Sequence, residues 1–331
     1  LDIVGNASNH LAGAAGETTA HFLDKGINYL TMADGPAGLR ISLKYFEDEY
    51  GEHDASDRAI TGTMAELMNP LVMWIAKLVV GQTKVPKDAI IKEHLVTAIP
   101  IGTAIAQSFN VKLAEQFGDI IGSEMEQYGV NLWLAPALNI HRSILCGRNF
   151  EYYSEDPLVS GLMAAAITKG VQSHKGCGVT IKHFAANNAE NNRYANNSQV
   201  AERAMRERYL RGFGKAIKES HPIAVMTSYN LLNGIHTSEN RGLIDDILRN
   251  EFGHQDIVMT DWIIMMPRNR KSIYRFASPI EVMKAGGDIF MPGFEPYYKH
   301  ILDGLNKGLV SRNQLEINAT RVIKVIDKLK P

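Results

Sequence analysis

Short apolar runs recur along the chain and predict buried strands. The clearest, Ile257–Met259, contains no polar residue, whereas a strand with one solvated face alternates apolar and polar positions. We therefore expect this strand to be covered on both faces. The other predicted strands are Ile27–Met32, Val96–Ile99, Val130–Pro136, Val179–Lys182, Pro222–Asn230 and Asp288–Met291.

Helical patterns lie between these strands. One helix begins after Asn110, a predicted N-cap, and stops at Gly129, and we interpret Glu155 and Asp156 as structural acids that open the next helix. The segment 41–97 does not fit one strand–helix repeat, so we interpret it as an insertion or as a subunit contact of a homo-oligomer. The other predicted helices are Glu17–Lys25, capped by Gly26, Ser198–Glu219, Leu243–Glu251 and Leu315–Leu329.

Polar side chains mark the carboxyl ends of several predicted strands. In a barrel of parallel strands these ends meet at one mouth, where the side chains of an active site converge. The sequence therefore predicts an α/β fold of the TIM-like (β/α)8 barrel type, allowing for irregular first strands. A doubly wound sheet is the competing architecture, but it would need a glycine-rich phosphate loop after its first strand, and the sequence has none.

Composition and charge argue against several classes of partner. The 331 residues carry a net charge of −1, which does not favour a nucleic-acid partner, and the most apolar segment, Leu67–Gly81, is too short and interrupted to cross a membrane. Cys146 and Cys177 lack metal-ligand spacing, so we interpret both as free thiols in a reducing compartment. No signal-peptide pattern is found, which favours a cytoplasmic location, and the missing initiator Met indicates a piece of a longer protein.

Asp261 is the strongest candidate for chemistry. It ends a buried strand, and the flat indole of Trp262 beside it can hold a ring-shaped ligand against the carboxylate. Simpler interpretations stay open: Asp261 can cap a following helix, and Asp34 can form an Asx turn. Likewise, Lys182 and His183 can belong to a structural ion pair.

The side chains expected at this mouth suit a sugar, whose hydroxyls need fixed donors and acceptors. These side chains are Asp34, Arg148, Lys182, His183 and Tyr229. The sequence has no metal-ligand motif, so we expect neither a metal nor a cofactor. Because Asp261 would lie between cations, we expect its pKa to be lowered and its carboxylate to stay ionised, as the nucleophile of a retaining glycosidase must.

Five motifs follow one another between Gly13 and Gly293: TMADGPAGLR, CGRNFEYYSEDP, KHFAANN followed by NNR, MTSYN and VMTDW. In this order they resemble the catalytic barrel of glycoside hydrolase family 3, in particular its β-glucosidase branch. The resemblance implies that Asp261 is the nucleophile, that Trp262 is the stacking wall and that the substrate is a β-glucoside or a short gluco-oligosaccharide. It also implies sugar contacts in the innermost subsite from Asp34, Arg148, Lys182, His183 and Tyr229, with Arg193 in support.

The resemblance implies one barrel domain over residues 1–331, without the family's α/β-sandwich domain. A retaining mechanism needs a second carboxyl about 5 Å from the nucleophile. Glu151 lies beside Arg148, which would lower its pKa, and Glu190 lies among amides with no evident apolar pocket. In the β-glucosidase branch this acid/base is usually a Glu of the sandwich domain, so we expect another domain or chain to supply it.

Other functions stay open at this point. A sugar-binding barrel without catalysis would explain the missing acid/base. A related exo-acting β-glycosidase, such as a β-xylosidase or a glucan exo-hydrolase, would use the same nucleophile. A metal-dependent hydrolase built on His183 and Asp261 is a third alternative.

Overall fold

The computed structural model describes residues 10–55, 85–264 and 273–330, so the apolar segment Leu67–Gly81 and most of the predicted insertion lie outside the described residues. The strands are β1 (Gly16–Glu17), β2 (Thr31–Ala33), β3 (Lys44–Asp48), β4 (Gly51–Asp54), β5 (Lys92–Glu93), β6 (Leu132–Trp133), β7 (Gly178–Phe184), β8 (Asn197–Ser198), β9 (Ala224–Thr227), β10 (Leu231–Leu232), β11 (Ile235–His236), β12 (Ile257–Trp262) and β13 (Ile289–Met291). The α-helices of six or more residues are α1 (Gly102–Gln107), α2 (Val111–Tyr128), α3 (Pro157–Gln172), α4 (Arg211–Ser220), α5 (Pro279–Ala285), α6 (Glu295–Asn306) and α7 (Arg312–Lys328). Across these described ranges, no helix has the length and apolar character needed to cross a membrane.

Seven of the described strands form the main sheet, in the order β1-β2-β6-β7-β9-β12-β13. β1 is antiparallel to β2, and every later pair of neighbours is parallel. The strand order follows the chain without the reversal that defines a doubly wound sheet. The predicted α/β class of TIM-like barrel is thus confirmed, and the short antiparallel β1 fits the expected irregularity of the first strands.

Alternate residues of the main sheet pack into two different cores, because successive strand side chains point to opposite faces. One core contains Met32, Leu132, Met226, Met259 and Ile289, together with Val322 and Val325 of α7. The other contains Ala33, Trp133, Val179, Val225 and Val258, together with residues of α2, α3 and α4. The strands are therefore covered on both faces, as the run Ile257–Met259 predicts, and their carboxyl ends are left to form a site.

The predicted helix boundaries around α2 and α3 are confirmed. The Asn110 side chain accepts a hydrogen bond from the Leu113 amide at 3.1 Å, and Gly129 ends α2 with a left-handed φ of 66°. Asp156 caps α3 by accepting from the Leu158 amide at 2.7 Å. Asp156 is therefore structural, as expected.

Two local predictions near the start of the sheet are wrong. Glu17–Lys25 is not a helix: Glu17 pairs with Thr31 in the antiparallel β1–β2 ladder, and only Leu23–Lys25 forms a single 3₁₀ turn, which Gly26 ends. Sheet pairing outweighs helix propensity there. Residues 96–99 do not form a strand, because their amides do not pair with a neighbouring strand. The Thr97 amide, for example, donates to the Glu124 carboxylate at 2.8 Å.

The predicted helix Ser198–Glu219 is interrupted. Asn197–Ser198 form β8, Met205–Tyr209 form a π-helical turn, and α4 begins only at Arg211. The helix predicted at Leu243–Glu251 is a π-helix over Gly242–Glu251. Sequence periodicity identifies a helix but does not separate a π-helix from an α-helix.

The described parts of segment 41–97 form a separate antiparallel sheet in the order β4-β3-β5. The strands of this sheet do not pair with those of the main sheet. Within the segment, the Tyr45 ring stacks on the His94 ring with centroids 4.0 Å apart. The role of this segment as an insertion stays a prediction.

His174 links α2 to the turn after α3. The two ring nitrogens of His174 lie 2.9 Å from carboxylate oxygens of Glu126 and Asp119, and both nitrogens can donate only in the charged form. Burial alone would lower the pKa of His174, but the two carboxylates raise it above 6.5. The two ion pairs of protonated His174 therefore stabilise the fold fully below the pKa that His174 has in the unfolded chain. This stabilisation is lost as pH rises through the pKa of His174 in the folded chain.

We therefore expect the difference in melting temperature between the wild type and His174→Gln to shrink as pH rises above about 6.5. The glutamine variant lacks the titrating group, so the difference isolates His174 from other ionisations. Thermal melts from pH 5.5 to pH 9 measure it. A difference that stays constant over this range would show that His174 acts only by packing.

Candidate active site

A cavity of about 590 Å³ opens at the carboxyl edge of the main sheet. Strand ends and the loops that follow them supply its polar lining, which includes Asp34, Arg40, Arg148, Glu151, Lys182, Arg193, Tyr229, Asp261 and Trp262. Seven of the eight predicted site residues line this cavity. His183 is the exception, and Arg40 is a lining residue that sequence reasoning did not select.

Asp34 follows β2 and is held between two cations. Lys182 Nζ donates to Asp34 Oδ1 at 2.7 Å, and the Arg40 guanidinium donates to Oδ2. Burial alone would raise the pKa of Asp34, but Lys182 and Arg40 lower it to about 2. The amide of the neighbouring Gly35 also lowers this pKa. An Asx turn is not formed, because the residue whose amide would have to donate to Asp34 is Pro36, which has no N–H. Asp34 is therefore an ionised acceptor at physiological pH.

Asp261 lies at the end of β12, with its carboxylate buried and one oxygen free of hydrogen bonds from the described residues. Oδ1 accepts from the Trp262 amide at 2.7 Å, whereas Oδ2 is buried and accepts none. The expectation of a lowered pKa for Asp261 is wrong. Burial raises this pKa, and the opposing charges of Arg148 and Lys182 do not fully compensate.

His183 lies behind Asp261 and does not line the cavity. Its side chain is 1% exposed, and its Nε2 is 3.7 Å from Asp261 Oδ2, which is too long for a hydrogen bond. Asn139 holds the backbone of His183 on both sides, by accepting from its amide at 2.8 Å and donating to its carbonyl at 2.9 Å. Burial, with the nearby cations Arg148 and Lys182, holds the pKa of His183 well below 6.5, so the imidazole is neutral.

Both alternative acids in the loops are paired with cations. Glu151 is buried and accepts from Arg148 Nε, and Glu190 accepts from Arg193 at 3.3 Å and from the Asn187 amide group at 3.0 Å. Among the described residues that line the cavity, no second carboxyl without a cation partner is present beside Asp261.

Aromatic side chains complete the walls. Burial and then the charge of Asp261 raise the pKa of Tyr229 well above 10, so its phenol is a neutral donor. The Arg193 guanidinium lies 4.8 Å from the centroid of the Tyr229 ring, which positions both groups. Trp262 is partly exposed and lines the cavity next to Asp261. The cavity therefore combines charged donors, an ionised acceptor and an indole face.

Within the described ranges, no group of three or more His, Cys, Asp or Glu side chains is placed to hold a metal ion. His183 and Asp261, the pair considered for a metal-dependent hydrolase, contact each other without a third such ligand in this part of the chain. Neither side chain is arranged here as part of a metal site.

Comparisons with known proteins agree on one family. The sequence profile of the Glycosyl hydrolase family 3 N terminal domain matches residues 69–325. The chain is 40% identical to Beta-glucosidase A of Butyrivibrio fibrisolvens over 220 residues, 66% of this chain and 25% of that protein. It is 33% identical to an Exo-alpha-(1->6)-L-arabinopyranosidase of Bifidobacterium longum over 308 residues, 92% of this chain and 34% of that protein.

A solved structure shows the same fold. Beta-glucosidase 3B from Thermotoga neapolitana, in complex with glucose, superposes with a TM-score of 0.77 at 36% sequence identity. The match covers 99% of this chain and 40% of the Thermotoga chain. This chain thus spans between a quarter and two fifths of the length of these relatives. By sequence profile and by fold, the chain belongs to glycosyl hydrolase family 3, within its N-terminal domain.

Proposed function

We propose that this chain is the barrel of a retaining β-glucosidase, with Asp261 as the nucleophile. The observation that carries the proposal is Asp261 Oδ2, a buried carboxylate oxygen at a polar cavity that accepts no hydrogen bond from the described residues. Its lone pair is available to an anomeric carbon. The names of the relatives, and the glucose in the Thermotoga structure, support a glucoside as the substrate.

The remaining lining residues have distinct roles in this proposal. The ionised Asp34 accepts from sugar hydroxyls, while Arg148, Lys182 and Arg193 donate to them. The neutral Tyr229 phenol donates close to Asp261, and the Trp262 indole stacks on the apolar face of the pyranose. The neutral His183 has a positioning role, because it lies against Asp261 and outside the cavity lining.

The reaction is a double displacement. Asp261 Oδ2 forms a bond to the anomeric carbon as the glycosidic C–O bond breaks, and the aglycone oxygen leaves with the bonding electrons and takes a proton from the acid. Water then attacks the same carbon, gives its proton to the conjugate base and releases Asp261. The sugar leaves with the configuration it had in the substrate.

In this proposal the acid/base is a Glu outside residues 1–331, in an α/β-sandwich domain or a separate chain. Glu151 and Glu190 are both already engaged in ion pairs with arginine. The relatives are long enough to carry a further domain. The barrel domain boundaries at 1 and 331 are part of the same proposal.

The absence of a free second carboxyl in the described cavity lining also fits a barrel that binds a sugar without hydrolysing it. The arabinopyranosidase relative further shows that similar chains occur in enzymes named for other pyranosides. The sugar-binding alternative differs from the main proposal in a measurable way, because only a catalytic barrel transfers the glycosyl group of a bound substrate to an added nucleophile.

Azide is the appropriate nucleophile for the test, because it needs no general base, and 2,4-dinitrophenyl β-D-glucoside needs no general acid. The 331-residue chain is expected to convert this pair into β-D-glucosyl azide, with retention, as detected by NMR spectroscopy. Formation of the α-azide would contradict a nucleophile on the protein. Bound glucose without any azide product would favour the sugar-binding alternative.

A further inference from the structure

An aromatic side chain lies at the mouth of the cavity. Phe150 lines the same cavity as Asp261 and Trp262, yet it is 51% exposed, whereas Asp261 is 7% exposed. Single exposed apolar side chains are common on protein surfaces, so exposure alone carries no meaning. Here the exposed ring borders a ligand-sized cavity, which therefore has a charged floor and an apolar group in its outer part.

The backbone on both sides of Phe150 is fixed. The Thr103 hydroxyl lies 2.8 Å from the Asn149 carbonyl oxygen and 3.0 Å from the Tyr152 carbonyl oxygen, so its single proton is shared between them. Glu151 is bound to Arg148. Asn149–Glu151 form a single 3₁₀ turn. The backbone that carries the ring is therefore in place before a ligand arrives, so little backbone conformational entropy is lost on contact.

The chemistry of the proposed reaction determines which part of a substrate reaches this ring. The hydroxylated sugar matches the charged floor, with its anomeric carbon at Asp261. In a displacement the leaving group departs on the side opposite the nucleophile. The aglycone therefore extends away from Asp261, toward the outer, half-exposed part of the cavity where Phe150 lies.

We propose that Phe150 is a specificity-determining residue that selects aglycones with a flat apolar face, for which an aryl group is the simplest case. This inference rests on the proposed function, because it requires a glucoside in the cavity. An offset or edge-to-face contact between aromatic rings corresponds to roughly a 2- to 12-fold gain in affinity. Aromatic stacking on Phe150 thus predicts a preference of about this size.

Two non-hydrolysable ligands test the proposal by isothermal titration calorimetry on the 331-residue chain: phenyl 1-thio-β-D-glucoside and methyl 1-thio-β-D-glucoside. The wild type is expected to bind the phenyl compound roughly 2- to 12-fold more tightly. Phe150→Ala is expected to bring the ratio of the two Kd values close to one, with the Kd of the methyl compound unchanged. Phe150→Trp keeps an aromatic face and is expected to retain the preference.

Leu145→Ala is the matched control, since Leu145 lies on the same loop and is 88% exposed but does not line the cavity. Its Kd ratio should equal that of the wild type. Equal weakening of both ligands by Phe150→Ala would assign Phe150 a structural role and overturn the proposal. An unchanged ratio in Phe150→Ala would overturn it as well. If neither thioglucoside binds the wild type, the proposed function fails and this inference with it.

Discussion

Replacing Asp261 by alanine is expected to reduce the release of dinitrophenolate from 2,4-dinitrophenyl β-D-glucoside at least about 10⁴-fold, which corresponds to roughly 5.5 kcal/mol of transition-state stabilisation. The cause is loss of the buried oxygen Asp261 Oδ2, the proposed attacking atom. The activated leaving group removes the need for a general acid, so the assay reports on the nucleophile alone. Absorbance of the released phenolate measures the rate.

The alanine variant also leaves space on the face of the sugar where the carboxylate would lie. Added azide should then attack from that face directly and give α-D-glucosyl azide instead of the β product. Asp256→Ala is the matched control, because Asp256 precedes the same strand and forms a surface ion pair with Lys328. Wild-type rates in Asp261→Ala would rule out the assigned nucleophile, as would equal losses in both variants.

The second large effect concerns stability. Asp288 is fully buried at its side chain, where Oδ2 accepts from Arg249 and from the Val258 amide, both at 2.8 Å. Arg321 donates to Oδ1 at 3.2 Å. Asp288→Ala leaves the buried Arg249 without its counter-charge and an amide of β12 without its acceptor. A cost of about 3–5 kcal/mol in the free energy of unfolding is expected.

Urea unfolding followed by circular dichroism measures this cost. Lys328→Ala is the control, since it breaks an ion pair between partly exposed side chains and should cost no more than about 1 kcal/mol. A similar, small effect for both variants would mean that the network around Asp288 is not coupled to folding. Because Asp288 anchors β13 against β12, this network also supports the strand that carries Asp261.

The parts of the fold that depend on local pattern could be predicted from the sequence. The buried run Ile257–Met259 and the caps at Asn110 and Gly129 each depend on a few neighbouring residues, and the structure contains all of them. Segments controlled by distant partners could not be predicted. Glu17 is in a strand because Thr31 lies opposite, a contact that no local pattern contains.

The candidate site divides in the same way. Strand-end positions pointed to Asp34, Lys182, Tyr229, Asp261 and Trp262, and loop and family motifs pointed to Arg148 and Arg193; all seven line the cavity. Arg40 was missed as a site residue because its role depends on a turn that returns its guanidinium to Asp34, although its place in TMADGPAGLR was a usable signal. His183 follows Lys182 directly, yet the strand points their side chains in different directions, and only Lys182 reaches the cavity.

The pKa of Asp261 shows the limit of counting charges. The sequence indicates that the cations Arg148 and Lys182 lie near Asp261, but it does not contain the depth at which the carboxylate is buried. In the structure the desolvation of Asp261 is the larger effect and raises its pKa. Deep burial also leaves Oδ2 poorly solvated, which favours reaction at a carbon centre once the carboxyl is ionised.

Peptide mapping by mass spectrometry, after exposure to 2,4-dinitrophenyl 2-deoxy-2-fluoro-β-D-glucoside, tests the assignment of Asp261 as nucleophile most directly. The fluorine slows the second displacement, and the leaving group needs no acid, so a glycosyl-enzyme should accumulate even without the acid/base. We expect one adduct, on the peptide that contains Asp261, and none in Asp261→Ala. An adduct on another carboxylate, or none on a chain that binds glucose, would contradict Asp261 as the nucleophile.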